Sequence, residues 1–243
     1  MHMNSQREPW RVGVVVPAQN EADTIQRCIR SIRSAHDSLI GSDQLWIVVV
    51  ADTCSDSTAA LARSALGGWG EVVECEVRSA GAARQLGVAA VLRHFNNVPS
   101  STIWLANTDA DSHVPADWLQ RHLQFAQDGD IAVAGIVELE INSSEAQRAE
   151  EALRPIYQFA DDGSHSHVHG ANLGVRADAY LAVGGWSHLP LAEDHCLWNR
   201  LKAGGWRLRS SMLSCVTTSA RLQGRAVGGF ADTLRGRMQA SVV

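Results

Sequence analysis

Two carboxylates separated by one alanine, Asp109-Ala110-Asp111, end an apolar, β-prone run from Ile103 to Ala106. Such a run reads as a buried strand delivering both acids to its carboxyl end, where open α/β sheets place their ligand crevice. Acids crowded there repel each other unless a cation sits beside them. A hard divalent ion with oxygen ligands would satisfy them and could bridge to a diphosphate. The competing reading is a strand-to-turn boundary, because Asp and Asn are ordinary turn residues. Two other strand ends carry similar chemistry: Asn20-Glu21 follow Val12–Val16, and Asp52 follows Leu45–Ala51. In a parallel sheet these ends share one edge, so the acids would line one crevice.

Further groups lie downstream. Glu193-Asp194 open a segment whose apolar positions, Leu197, Trp198 and Leu201, have helical spacing. A helix start presents free N–H groups and a positive dipole end, which favour a carboxylate. Asp194 there is a base or a plain helix cap. His165, His167 and His169 alternate, so an extended segment puts them on one face. Three imidazoles can hold zinc; a polar loop is the expected alternative. From Arg221 onward four arginines (221, 225, 235 and 237) stand against one acid, Asp232.

The elements that must position these groups alternate along the chain. Val12–Val16, closed by Pro17, reads as a central strand buried on both faces. Ile25, Cys28, Ile29 and Ile32 have helical spacing. A strand over Leu45–Ala51, a helix from Ser57 to about Leu66 stopped by Gly67-Gly68, a short strand Glu71–Cys75 and a helix Ala80–Phe95 follow. Asp56 is expected to cap the second helix. Strand signals separated by helical patterns predict βαβ units and a parallel sheet. In the second half, Trp118, Leu119, His122 and Ala126 mark a helix, and Ile131–Ile141 a strand. Glu145–Phe159 reads as a helix and Asp161–His169 as a mobile loop. Asn172–Arg176, Glu193–Ala203 and Trp206–Arg209 read as strand, helix and strand. Trp46, Trp104 and Trp206 are expected in the core.

Composition narrows the class. A length of 243 residues with 45% hydrophobic and 19% charged residues suits one α/β domain with a sizeable core. A net charge of −5 argues against a general nucleic-acid binder. The five scattered cysteines (Cys28, Cys54, Cys75, Cys196, Cys215) form no CxxC pair, so neither a disulfide framework nor a zinc site is indicated. No signal-like apolar stretch, no membrane span and a reducing compartment are the expectation, hence a cytoplasmic location. The first βα turn has no GxGxxG and there is no P-loop.

Several segments together carry a resemblance. Val14-Val15-Val16-Pro17-Ala18-Gln19-Asn20-Glu21 is similar to the opening strand and turn of family 2-type nucleotide-sugar glycosyltransferases with the GT-A fold. Val50 to Thr58 resembles their second strand and its Asp-x-x-Ser-x-Asp-x-Thr turn. Gly81-Ala82-Ala83-Arg84-Gln85-Leu86-Gly87 resembles a helix start usually reading Gly-x-x-x-Arg-Asn-x-Gly. Asp109-Ala110-Asp111 matches their DxD motif, Gly170 to Arg176 and Gly184-Gly185-Trp186 the acceptor-side strand and turn, and Glu193-Asp194 the ED motif. The matches run in order from about residue 12 to 210.

The resemblance implies an α/β GT-A fold with a mostly parallel central sheet flanked by helices, in a single domain over residues 1–243. Residues 11–112 would form the nucleotide-binding half and 113–220 the acceptor-side half, with a basic tail at 221–243. It implies transfer of a sugar from a nucleoside diphosphate sugar, UDP first and GDP second, to a hydroxyl acceptor it does not name. Pro17, Asn20, Glu21, Asp52, Arg84 and Asp109 would bind the donor. Glu21 and Asp52 would hydrogen-bond the nucleoside, Arg84 would lie near the base or phosphates, and Asp111 would hold Mg2+ or Mn2+. Asp194 would be the base of an inverting reaction. His169, Asn172, Trp186 and Glu193 would face the acceptor, with Trp186 a stacking platform. Arg221 and Arg225 would contact the diphosphate. A homodimer, a retaining reaction and a catalytically silent nucleotide binder stay open. A sugar-phosphate nucleotidyltransferase is disfavoured, since Pro17-Ala18-Gln19-Asn20 is no glycine-rich turn. No histidine follows His195, where many relatives carry a further metal ligand. The Gln-x-x-Arg-Trp motif of processive synthases is missing, and Arg221-Leu222-Gln223-Gly224-Arg225 is its nearest substitute.

Overall fold

The computed structural model describes residues 9–39, 43–154, 157–222, 224 and 230–240. The β-branched run after Trp10 forms β1 (Arg11–Ala18), and β2 (Gln44–Asp52), β3 (Gly70–Cys75) and β4 (Ile103–Asn107) join it as parallel neighbours. Crossovers α1 (Ile25–Asp37), α2 (Thr58–Leu66) and α3 (Ala80–His94) connect them. Alternate residues of β1 face opposite ways. Val12, Val14 and Val16 pack with α1, α2 and α4 (Trp118–Gln127), while Val15 packs with the layer containing α3. Both faces of the strand are therefore covered, which explains an unbroken apolar run rather than an alternating one. Gly87 lets α3 approach β1: a Cβ there would lie 2.4 Å from Val15 Cγ1.

The second half completes one eight-stranded sheet with order β3-β2-β1-β4-β7-β6-β8-β5. Its strands are β5 (Ser112–His113), β6 (Ala132–Leu139), β7 (Leu173–Arg176) and β8 (Leu208–Thr218). β7 runs antiparallel to both β4 and β6, so the sheet is mixed beyond β4. The helices are α5 (Ser144–Leu153), α6 (Ala177–Ala182), α7 (Glu193–Ala203) and α8 (Phe230–Ala240). Two expectations need correction. The helix expected to reach Phe159 ends at Leu153, and Phe159 pairs with His165 in an isolated antiparallel bridge. A proline at 155, which has no N–H to donate, stands against continuing the helix. The strand expected over Trp206–Arg209 is the start of the much longer β8. Its middle, Ser210 to Ser214, is polar or partly exposed and gives little alternation to read.

Trp104 is fully buried, and Trp46 and Trp206 pack against the core at its margin. Beneath the second half lies a buried polar network around His122. Trp104 Nε1 donates to His122 Nδ1 at 3.2 Å, so Nδ1 is the acceptor and Nε2 carries the proton. Nε2 faces Ser214 Oγ at 3.2 Å and Asn172 Oδ1 at 3.4 Å. Burial holds His122 down to about 4, outweighing the opposing pull of Asn172. The unfolded chain would take up a proton near 6.5, so it binds more protons than the native state between those values. His122 thus contributes stability that is complete above about 6.5 and lost as pH falls toward 4. The loss should approach ~1.4 kcal/mol per pH unit within that window. Asp111, pushed up to about 6, works in the opposite direction. Thermal denaturation across this range should therefore be compared with His122→Gln, whose stability should rise less with pH, by the histidine's share. Parallel profiles would rule the histidine out.

Candidate active site

From β1 the chain steps outward to β2 and β3, then returns past β1 to β4. The loops leaving β1 and β4 diverge at that reversal, the place where open α/β sheets form a ligand crevice at the strands' carboxyl ends. Asn20-Glu21 and Asp109–Asp111 flank it, and Asp52 ends the neighbouring strand. Four non-glycine residues have positive φ among the described residues: Asn20 (53°), Thr53 (52°), Arg78 (51°) and Ala192 (58°). Three lie in the turns after β1, β2 and β3, and the fourth caps α7. A left-handed conformation costs an L-residue about 1–2 kcal/mol. Such cost gathered at one sheet edge is the pattern found at functional sites.

The loop after β1 is tied to the one after β2. Asn20 Oδ1 accepts from Ser55 N–H at 2.8 Å, and the Glu21 N–H donates to Thr58 Oγ1 at 2.7 Å. Pro17 lies within β1, opposite Val50. Asp56 Oδ1 accepts from Thr58 N–H at 3.0 Å and so braces the turn into α2, but the N-cap position itself is Ser57, whose side chain makes no capping bond.

Asp52 is buried, with more partners than its position at a strand end suggested. Its Oδ1 accepts from the N–H groups of Val77 (2.9 Å) and Arg78 (3.0 Å), and Oδ2 from Ser79 (3.2 Å). The carboxylate organises the turn that leads into α3. Asp52 therefore supports the fold as well as lining the sheet edge. Asp52→Ala leaves three amides unpaired and should cost ~1–3 kcal/mol of stability, besides weakening nucleoside diphosphate binding. Denaturant unfolding alongside calorimetry with UDP and GDP separates the two effects. Unchanged affinity for both nucleotides would remove Asp52 from the donor site.

Arg84 joins two acidic motifs that are distant in sequence. Its Nη2 donates to Asp109 Oδ1 at 2.7 Å and its Nη1 to Glu193 Oε1 at 2.5 Å. Its guanidinium lies 5.2 Å from the Trp186 ring centroid and against Gly170, where a Cβ would come within 2.5 Å of Nη2. Burial alone would lower the Arg84 pKa, but Asp109, Glu193 and Asp194 overcome it and raise it. The side chain is only 4% exposed. Arg84 is thus enclosed, and it holds Asp109 and Glu193 in place. Trp186, 2% exposed, forms the floor beneath Arg84 rather than an open stacking platform.

Asp111 is 9% exposed. Burial pushes it up to about 6; Arg221 pulls the other way, while Asp109 and Glu21 add to the rise. A buried carboxylate beside two other acids fits a cation ligand. Arg221 meets part of that demand, with Nη1 2.6 Å from Glu21 Oε1 and Nη2 3.1 Å from Asp111 Oδ2. Among the described residues no three His, Cys, Asp or Glu groups are arranged to hold a metal. A metal on Asp111 would therefore draw its remaining ligands from the diphosphate and water.

On the other side of the crevice, Asp194 Oδ2 accepts from Gly170 N–H at 3.0 Å and Oδ1 from His195 N–H at 2.7 Å. His169 lies beside it: its Nε2 is 2.9 Å from Tyr157 Oη, and burial brings its pKa down to about 4 against the pull of Asp194. Val137 N–H also donates to that phenol oxygen. Tyr157 carried no signal in the sequence, because a lone tyrosine beyond a helix has no motif. His165, His167 and His169 do share a face, with ring centroids 6.1 and 6.0 Å apart. Their loop is tied to β8 through His165 N–H to Ser210 Oγ and Met212 N–H to the Gly163 carbonyl. Asn172 is corrected as an acceptor-side residue. It is fully buried, donates to the Ile136 and Ser214 carbonyls and accepts from Trp118 Nε1. Arg225 lies outside the described residues.

A mostly parallel, helix-flanked sheet with acids at its switch point defines the nucleotide-diphospho-sugar transferase class of α/β fold, GT-A. The chain belongs to glycosyl transferase family 2, a family of enzymes, whose model matches residues 13–184. No curated protein matches the sequence. Among solved structures, the mannosyltransferase PcManGT from Pyrobaculum calidifontis, in complex with GDP-Man and Mn2+, is 20% identical with a TM-score of 0.65; the match covers 97% of this chain and 64% of that one. S. aureus TarS in complex with UDP-GlcNAc is 13% identical with a TM-score of 0.62, covering 90% of this chain and 61% of that one. The chain thus spans about three fifths of the length of these relatives.

Proposed function

We propose that this protein transfers a sugar from a nucleoside diphosphate sugar to an acceptor hydroxyl, with a divalent metal and inversion at the anomeric carbon. The observation that carries the reading is Asp111, buried beside Asp109 and Glu21 at the point where the sheet reverses direction. Asp111 is the residue to hold Mg2+ or Mn2+, which when bound neutralises the diphosphate leaving group as a Lewis acid. Glu21 and Asp52 face the nucleoside from the turns after β1 and β2, and Arg221, paired with Glu21 and Asp111, is the cation to contact the diphosphate. Asp109, held by Arg84, faces the donor sugar. Asp194, across the crevice and fixed by two backbone amides, removes the acceptor proton. His169 and Glu193 border the acceptor.

UDP is the first choice of nucleotide and GDP the second; relatives of this fold are complexed with UDP-GlcNAc and GDP-Man. A cytoplasmic location accords with five free cysteines and with the absence, among the described residues, of any helix long and apolar enough to cross a membrane. A thermal-shift screen of nucleotide sugars with Mn2+ tests the reading. A ligand at ~100 times its dissociation constant adds roughly 2.7 kcal/mol. If no UDP- or GDP-sugar stabilises the protein and none is hydrolysed, the proposal fails.

A further inference from the structure

This inference rests on the proposed donor chemistry and concerns what occupies the cation position before the donor arrives. β8 pairs with β5 so that Thr218 lies opposite Ser112, which brings the end of β8 beside Asp111. Thr218 Oγ1 donates to Asp111 Oδ1 at 3.4 Å, and Arg221 follows three residues later. Its guanidinium spans Glu21 and Asp111, binding one oxygen of each. Arg221 therefore uses a carboxylate oxygen that a divalent ion would need. Mg2+ binds oxygen at ~2.0–2.1 Å and demands nearly ideal geometry. A guanidinium hydrogen-bonded to the same oxygen would crowd the ion and repel its charge.

We infer that Arg221 is a cation latch. In the donor-free protein it stands in for the metal on Asp111 and Glu21. When a nucleoside diphosphate enters, Arg221 moves onto the diphosphate and releases Asp111 to the metal. Arg84 and Arg221 differ in the way this requires. Arg84, at 4% side-chain exposure, is locked by packing; Arg221, at 30%, is partly exposed and follows the end of a strand. The exchange keeps charge balanced, because the guanidinium trades two carboxylates for the phosphates as the metal takes its place. Metal and diphosphate then bind with positive coupling, and the coupling must be reciprocal. The latch would also keep the buried acids paired while no donor is present, when uncompensated charge there would be costly.

The test measures Mn2+ binding without nucleotide, by electron paramagnetic resonance of the free ion, and repeats it with UDP and with GDP. Arg221→Ala and Arg221→Gln should bind Mn2+ alone about tenfold more tightly than wild type, a common size for a coupling between sites. They should bind nucleoside diphosphate more weakly, and the nucleotide should raise their Mn2+ affinity less than it does in wild type. Arg221→Lys should fall between, and Asp111→Asn should remove the Mn2+ site in every background. Circular dichroism identifies the folded variants; should the alanine variant not fold, the glutamine and lysine variants carry the test. Mn2+ binding that is unchanged or weaker in the folded variants overturns the latch, and intact UDP or GDP binding in the same samples leaves the transferase reading standing. Tightened Mn2+ binding with no nucleotide binding at all overturns the donor-driven release and the transferase reading together.

Discussion

Asp194→Asn should retain the donor and lose nearly all transfer. Asparagine keeps the size and one acceptor oxygen, so the Gly170 amide can still be satisfied. The second contact, from His195 N–H, loses its oxygen partner. One weakened hydrogen bond costs about 1 kcal/mol, too little to unfold a domain with layers packed on both faces of its sheet. What the variant cannot do is accept the acceptor's proton. General-base catalysis is commonly worth roughly 10²–10⁴ in rate, and the transfer rate should fall by that factor while calorimetry shows unchanged donor affinity. The product should carry the opposite anomeric configuration to the donor, because the base must hold the acceptor on the face away from the diphosphate. A variant that transfers at near wild-type rate, or a product of retained configuration, would take Asp194 out of this role and favour a retaining mechanism.

Asp111→Asn should lower transfer and donor hydrolysis by roughly 10²–10³, the scale of one lost electrostatic stabiliser in a preorganised site. The substitution removes the charge that would bind the metal, and it removes one of the two carboxylates holding Arg221. The variant should be no less stable at neutral pH, since burial already disfavours the charged form of Asp111. Removing divalent ions with excess chelator should reproduce the defect in wild type, and Mn2+ should restore wild type but not the variant. Full activity in chelator would exclude a metal role for Asp111 and leave Arg221 as the cation at the diphosphate.

Much of the first half of the chain is legible in the sequence because its signals are local. A continuous apolar strand, a polar turn and a helical period recur between residues 11 and 112, and each states its own element within a few residues. The acids at Glu21, Asp52, Asp109 and Asp111 are readable for the same reason: they stand where apolar runs stop. The order of the short motifs pointed to the family that the family model then matched. The second half was less readable. β7 is only four residues long and antiparallel, and the middle of β8 is half polar, so periodicity had little to work on.

Which oxygen each cation holds was settled by tertiary structure alone. Arg84 meets Glu193 across 109 positions of sequence, and no window along the chain contains both. The same packing that brings them together encloses the guanidinium between Gly170 and Trp186, so a motif arginine becomes a positioning residue and a motif tryptophan becomes floor. Asn172 has the residue type of a ligand contact, yet β6 and β8 close over it and satisfy its amide with buried carbonyls. Arg221 reaches Asp111 only because β8 returns beside β5. Residue type and local spacing fix what a side chain can do, since both are written in neighbouring positions. Exposure and partnership decide what it does, and these depend on long-range packing that neighbouring positions do not encode.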